Sequence, residues 1–142
     1  MKTYSIDFQA SKEVYNRRPD LIKMKMCYNN IASLVLHEYK LSSDYFGIQV
    51  VYGAVRAGDT NDKLYVKHCF LIYQGKVIDP TAVLWGDRAK DNIYIIGKTF
   101  SFNEYIDQLY LADGDTSLDK PLRKTYFEMM KQLASTGCVL AG

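Results

Sequence analysis

The sequence predicts an α+β domain in which helices pack on an antiparallel sheet. Apolar residues recur at helical spacing between positions 21 and 39. From position 45 onward, this pattern gives way to β-branched and aromatic stretches separated by Gly, Asp and Asn. Helical spacing returns after position 101, which gives the order helix, sheet, helices. With 142 residues, 48% of them apolar, and no linker or internal repeat, residues 1–142 are expected to form a single domain.

The first predicted helix has an apolar face formed by Met24, Tyr28, Ile31 and Val35. Its start is open between two positions. Asp20, directly after Pro19, is a good N-cap, but the helix could equally begin near Met26 after an extended stretch. The choice decides whether Cys27 lies within the helix or at its N-terminus.

Four strands are predicted, in the segments FGIQVVYGAV, LYVKHCFLIY, KVIDPTAVLW and NIYIIGKTF. Three of them follow one another closely, which favours hairpins over parallel crossovers. A capping-box pattern, Ser101 with Glu104, then predicts a short helix. A last helix is expected from about Asp119 until just before Gly137.

Composition narrows the class of protein. The 18 basic and 16 acidic residues are mixed along the chain, so no nucleic-acid partner is expected. No apolar run is long enough for a membrane span or signal peptide, and three cysteines without a C-x-x-C pair suit a reducing compartment. We therefore expect a soluble, cytoplasmic protein without membrane contact, and the oligomeric state is left open.

No metal or other cofactor is expected. The acidic stretch DGDTSLDK lacks the ligand spacing and closing Glu of an EF-hand. Two neighbouring residues on a strand, His68 and Cys69, face opposite ways and are poor candidates for one metal site with Cys27 and Asp79.

One hairpin brings two candidate catalytic residues together. If Gln74 and Gly75 form a two-residue turn, the paired strands place four residues on one face: His68, Phe70, Asp79 and Thr81. His68 and Asp79 then become diagonal neighbours with Cβ atoms roughly 7 Å apart, within reach of a hydrogen bond. A loop longer by one residue would move Asp79 to the opposite face.

A histidine oriented by an aspartate supports a nucleophile, and Cys27 is the best candidate. Cys69 faces away from His68, and Cys138 lies in the small-residue tail STGCVLAG. Each residue alone also has a structural interpretation. Cys27 suits a buried apolar position, His68 a core position bonded to a carbonyl, and Asp79 a strand end before proline.

The segments MCYNNIASLVLHEY, FGIQVVYGAV and KHCFLIYQGKVIDPT together are similar to the core of the transglutaminase-like group of papain-like cysteine enzymes. In that family a cysteine opens a helix, a histidine precedes an aromatic residue, and Asp-Pro-Thr or Asp-Pro-Ser closes the next strand. The similarity covers about residues 24–85. It implies a papain-like core and a catalytic triad of Cys27, His68 and Asp79.

The sequence thus predicts a cysteine hydrolase or acyltransferase that acts on an amide or other acyl bond through a thioester. Its substrate would be a protein, a peptide or a small acyl compound. Tyr28, Asn30 and Trp85 are candidate substrate-binding residues, with core packing as the alternative for each. A binding or inhibitory protein that keeps this fold without turnover is the alternative function.

Overall fold

A mixed sheet of six strands forms the centre of the α+β fold, and the computed structural model describes all 142 residues. The α-helices are α1 (Phe8–Arg17), α2 (Cys27–His37), α3 (Leu41–Asp44), α4 (Phe102–Leu111) and α5 (Arg123–Ser135). The strands are β1 (Tyr4–Ser5), β2 (Gln49–Arg56), β3 (Leu64–Tyr73), β4 (Lys76–Ile78), β5 (Ile93–Ser101) and β6 (Val139–Ala141). Three 3₁₀ segments connect them: Pro19–Leu21, Thr81–Trp85 and Asp87–Asp91.

The sheet buries both of its faces. Alternate residues of β2 point to opposite sides, so Tyr52 joins a core of 24 buried residues while Val51 joins a second cluster of nine. Helices α2, α4 and α5 cover the larger core, and Phe8 of α1 packs in the smaller cluster with residues of the 3₁₀ segments. On β3, Cys69 faces the larger core and Phe70 the smaller cluster.

The outer edge of β3 is interrupted. The strand order is β1-β5-β2-β3-β4, with antiparallel neighbours, and β6 adds to β3 in parallel. The predicted antiparallel pairing is therefore confirmed for β2, β3, β4 and β5, and β6, which was not predicted, makes the sheet mixed. Strand β4 pairs with residues 71–73 of β3 and β6 pairs with residues 64–66. Residues 67–70, which include His68, have no strand partner on this edge.

The predicted hairpin register is confirmed. Tyr73 pairs with Lys76 across a loop of only Gln74 and Gly75. Both loop residues have positive φ, 51° and 78°, as a type I′ turn requires, and this turn has the twist of a two-residue hairpin. The register therefore places residues 68 and 79 on the same side of the sheet.

Of the two starts left open for the first predicted helix, the structure has the one near Met26. The helix begins at Cys27, because Pro19–Leu21 forms a 3₁₀ turn and Lys25 has a positive φ of 61° that a helix cannot include. Two other predictions need correction. The strand predicted over KVIDPTAVLW ends at Ile78, since Pro80 (φ −64°, ψ −29°) starts the next 3₁₀ segment. Helix α1 was not predicted, so the cysteine-bearing helix is the second in the chain rather than the N-terminal one.

The C-terminal helices agree better with the prediction. The capping box at Ser101 and Glu104 is formed and opens α4. Helix α5 starts at Arg123, four residues after the predicted Asp119, and ends before Gly137. None of the helices is long and apolar enough to cross a membrane.

Candidate active site

Cys27 is the first residue of α2. The preceding residue, Met26, has φ −121° and ψ 40° and makes no side-chain hydrogen bond to the helix. The first intrahelical bond runs from the Asn30 N–H to the Met26 carbonyl, at 2.8 Å. The N–H groups of Cys27 and Tyr28 therefore have no intrahelical acceptor, and the positive end of the helix dipole lies at the thiol.

The buried amide of Asn30 holds this helix end in place. Its Nδ2 donates to the Lys23 carbonyl at 2.8 Å and to Thr81 Oγ1 at 3.0 Å, while its Oδ1 accepts from the Lys23 N–H at 3.0 Å. The amide thus ties the segment before α2 to the segment after β4. Asn30 does not line the cavity described below, so this placement gives no support to its predicted substrate contact.

His68 and Asp79 are directly hydrogen-bonded. His68 Nε2 lies 2.7 Å from Asp79 Oδ2, and the two residues are 4% and 0% exposed. The other oxygen of Asp79, Oδ1, accepts from the Ala82 N–H at 3.3 Å. The Asp79 N–H donates to Ser11 Oγ at 2.9 Å, so α1 also helps to fix the carboxylate.

The environment of His68 favours its charged form. Burial of the ring opposes the charge, but the Asp79 carboxylate and, after it, the Cys27 side chain outweigh burial and raise the pKa of His68 to about 10. The ring is therefore an imidazolium at neutral pH. Because Nε2 is bound to Asp79, Nδ1 is the nitrogen left for the thiol.

Cys27 and His68 lie on the wall of one cavity of about 680 Å³. Helix α2 lies on the larger core, whereas His68 points to the opposite face, and both residues reach the cavity at the open edge of β3. The thiol is near enough to the ring to raise the pKa of His68, although the two groups do not have the geometry of a formed hydrogen bond. Catalytic hydrogen bonds are often long before substrate binds.

Aromatic side chains form part of this wall. The Trp85 ring centroid lies 5.5 Å from that of His68, and Tyr28 stacks on Tyr52 at 5.7 Å. Both Tyr28 and Trp85 line the cavity, where the sequence predicted substrate contacts. The volume lies within the range of sites for small ligands.

Two further polar residues of this region were not singled out from the sequence. Tyr94, on β5, donates its phenol proton to Asp79 Oδ2 at 2.7 Å. Asn92, on the cavity wall, donates to the Tyr94 oxygen at 3.4 Å. Alternation along NIYIIGKTF places Tyr94 on one face of a strand, but nothing local distinguishes it among 12 tyrosines.

No group of three or more His, Cys, Asp or Glu side chains is arranged to hold a metal ion.

No protein-family model, curated protein or solved structure matches this chain. The chemistry of Cys27, His68 and Asp79 and their arrangement are therefore the basis for a function.

Proposed function

We propose that this protein is a small cysteine hydrolase or acyltransferase with a papain-like, transglutaminase-like core. The observation that carries the proposal is the His68–Asp79 hydrogen bond of 2.7 Å on the wall of a cavity that also holds Cys27 at a helix start. A thiol, a charged imidazole and a carboxylate in this order form the usual system of an activated cysteine.

In the proposed reaction, Cys27 and His68 rest as a thiolate–imidazolium pair, in which His68 Nδ1 already carries the thiol proton, and the Cys27 sulfur attacks the carbonyl carbon of the substrate. A C–S bond forms, and the carbonyl oxygen takes the negative charge. His68 then returns the proton to the departing amine as the C–N bond breaks. The product of this half-reaction is a thioester on Cys27 and a free amine.

The uncapped end of α2 supplies donors for the oxyanion. The N–H groups of Cys27 and Tyr28 point out of the first turn without intrahelical acceptors. Donors of this kind contribute about 10²- to 10³-fold to acyl-transfer rates when they are aimed at the developing charge. Asp79 keeps the ring oriented and stabilises its charged form.

Water or an amine then resolves the thioester, giving protease, deamidase or transglutaminase chemistry. The substrate is an amide or other acyl group of a protein, peptide or small molecule. All three cysteines are free thiols, which a reducing compartment such as the cytoplasm preserves.

A binding or inhibitory protein that retains the fold without turnover is the second candidate. The observation in its favour is that Cys27 and His68 approach each other without the geometry of a formed hydrogen bond. Under that alternative, replacing Cys27 by Ala leaves the biological effect unchanged.

Acylation by an activated ester such as p-nitrophenyl acetate tests the proposal. Intact-mass analysis should show one acetyl group on the wild-type protein, none after Cys27→Ala, and an unchanged adduct after Cys138→Ala. Cys138 is a suitable control because it is also free and partly buried.

Iodoacetamide provides a second measurement, since at pH 6 to 7 Cys27 should react faster than free cysteine. The activated-thiol proposal is wrong if Cys27 reacts no faster than free cysteine and is not selectively acetylated.

A further inference from the structure

The Asp79 carboxylate has one more strong partner than the His68–Asp79 pair needs. Its Oδ2 accepts both from His68 Nε2 and from the Tyr94 phenol, each at 2.7 Å. Tyr94 is fully buried, so no water competes for the phenol. One oxygen is therefore shared by two short hydrogen bonds.

We propose that Tyr94 is a positioning residue of the Cys27–His68–Asp79 system. Its phenol orients the Asp79 carboxylate towards His68 and weakens the attraction between that carboxylate and the imidazolium. This inference rests on the proposed function for its catalytic meaning. The shared hydrogen bonds themselves do not depend on it.

The packing around Tyr94 leaves the phenol little freedom. Its ring meets Phe70 edge-on at 4.9 Å, and Phe70 stacks on His68 at 5.9 Å. Asn92 donates to the phenol oxygen at 3.4 Å from the cavity wall. Tyr94 is thus held by both its ring and its hydroxyl group.

Gly53 allows the strands to approach closely here. On one side it pairs with His68, and on the other it lies where the β2–β5 register shifts. A Cβ at this position would overlap with the carbonyl oxygen of Ile95, the residue after Tyr94. Glycine is therefore needed for β5 to reach the position from which Tyr94 meets Asp79.

The charge state of the phenol suits this role. Burial, and then the Asp79 carboxylate, raise the pKa of Tyr94 well above its usual value, so the phenol stays protonated and remains a donor. The ionisable groups facing this cluster are Cys27 from α2, His68 from β3 and Asp79 after β4. When Tyr94 donates to Asp79, less of the carboxylate's charge is available to His68.

Tyr94→Phe removes only the hydroxyl group and is the direct test. The expected result is a rise in the pKa of His68 by about one pH unit, because the carboxylate loses a competing donor. The NMR titration of the His68 ring measures this shift, and His37, which is exposed and is the only other histidine, is an internal reference. The alkaline limb of the rate of Cys27 acylation should move the same way, with a fall in kcat/KM of about 10-fold, since the ring becomes a weaker acid for the leaving group.

Tyr105→Phe is the matched control, because Tyr105 is also fully buried but bonds to Tyr52 on the larger core. It should leave the His68 titration unchanged. Should Tyr94→Phe not fold, Asn92→Ala removes the hydrogen bond to the Tyr94 oxygen and should raise the pKa of His68 by a smaller amount.

The proposal is overturned if the folded variant leaves the His68 titration unchanged, or if Tyr105→Phe shifts it equally. Absence of wild-type acylation together with a shifted His68 would instead contradict the proposed function and leave the Tyr94 contact standing.

Discussion

The N-terminal ends of α2 and α4 differ in how their free backbone N–H groups are bonded. Helix α4 begins after Ser101, whose extended backbone (ψ 164°) lets its side chain accept from the Glu104 N–H while Glu104 accepts from the Ser101 N–H. Helix α2 begins after Met26, which has no capping side chain and a ψ of 40°. At α4 the neighbouring side chains accept from the free N–H groups, whereas at α2 the N–H groups have no capping side chain.

This difference separates stability from chemistry. A capping box satisfies donors that would otherwise lose hydrogen bonds, and a Ser cap stabilises by about 1 kcal/mol. At α2 those donors and the helix dipole remain available beside Cys27. The end is held from the side by Asn30, which bonds to Lys23 and Thr81, so the helix is fixed without filling the site.

The largest expected effect comes from removing the negative charge of Asp79, which is bonded to His68 beside the N-terminal end of α2. Asp79→Asn should lower kcat/KM for acyl transfer by about 10⁴-fold, because His68 loses both its orientation and its charge partner. Asp87→Asn, in the neighbouring exposed segment, should have no effect on the rate. A folded Asp79→Asn protein with more than a tenth of wild-type activity would contradict the role given to Asp79.

The stabilising contributions of His68, beside the α2 end, and of Glu104, at the α4 end, should change with pH in opposite directions. The pKa of His68 is raised from 6.5 to about 10, so its contribution to the free energy of unfolding is fully present below pH 6.5 and is lost as pH rises through 10. The Ser101 hydrogen bonds lower the pKa of Glu104 from its ordinary 4.5, so its contribution is present above pH 4.5 and is lost as pH falls further.

Urea unfolding at several pH values measures both contributions. The difference between wild type and His68→Gln should shrink between pH 6.5 and 10, and the smaller difference between wild type and Glu104→Gln should shrink below pH 4.5. A pH-independent difference for His68→Gln would mean that the Asp79 pair does not stabilise the charged ring.

Removing the cap of α4 should change stability but not chemistry. Ser101→Ala is expected to lower the free energy of unfolding by about 1 kcal/mol, since the Glu104 N–H loses its acceptor. Ser42→Ala, an exposed serine of α3, is the control for the substitution itself. The rate of Cys27 alkylation should be the same in both variants, and a change with Ser101→Ala alone would show that the two ends are coupled.

The smallest effect is expected from placing a negative charge at the N-terminal end of α2. Met26→Asp should slow acylation of Cys27 by about 2- to 5-fold, because a carboxylate next to the helix start opposes the thiolate and the oxyanion. Met26→Asn has nearly the same shape without the charge, so the ratio of the two rates isolates electrostatics. Equal rates for the two variants would argue against a charged intermediate at this position.

The part of the site that the sequence predicts is the part set by local geometry. The two-residue turn at Gln74 and Gly75 determines the register that brings His68 to Asp79, and Gly75 supplies one of the two positive-φ positions that this turn requires. The start of α2 at Cys27 was left open, because Asp20 is as good a cap by residue type. In the structure Asp20 instead pairs with Arg18 at 2.9 Å.

The remaining features depend on contacts distant in sequence. Tyr94 meets Asp79 only because β5 and β3 both pair with β2, and this pairing includes a register shift at Gly53. Helix α1 buries only Phe8, Ser11 and Val14, a weak apolar pattern that sequence periodicity does not reveal. Strand β6, in the small-residue tail, is ordered by pairing with β3 over 64–66.

The interrupted edge of β3 also bears on self-association. A long strand edge with free backbone groups is a template on which a second molecule can extend the sheet. Here the ten residues of β3 face outward onto two strands of three residues each, β4 and β6, with the cavity between them. The same break that leaves room for the cavity beside His68 thus denies a neighbouring chain a continuous ladder for fibril-like growth.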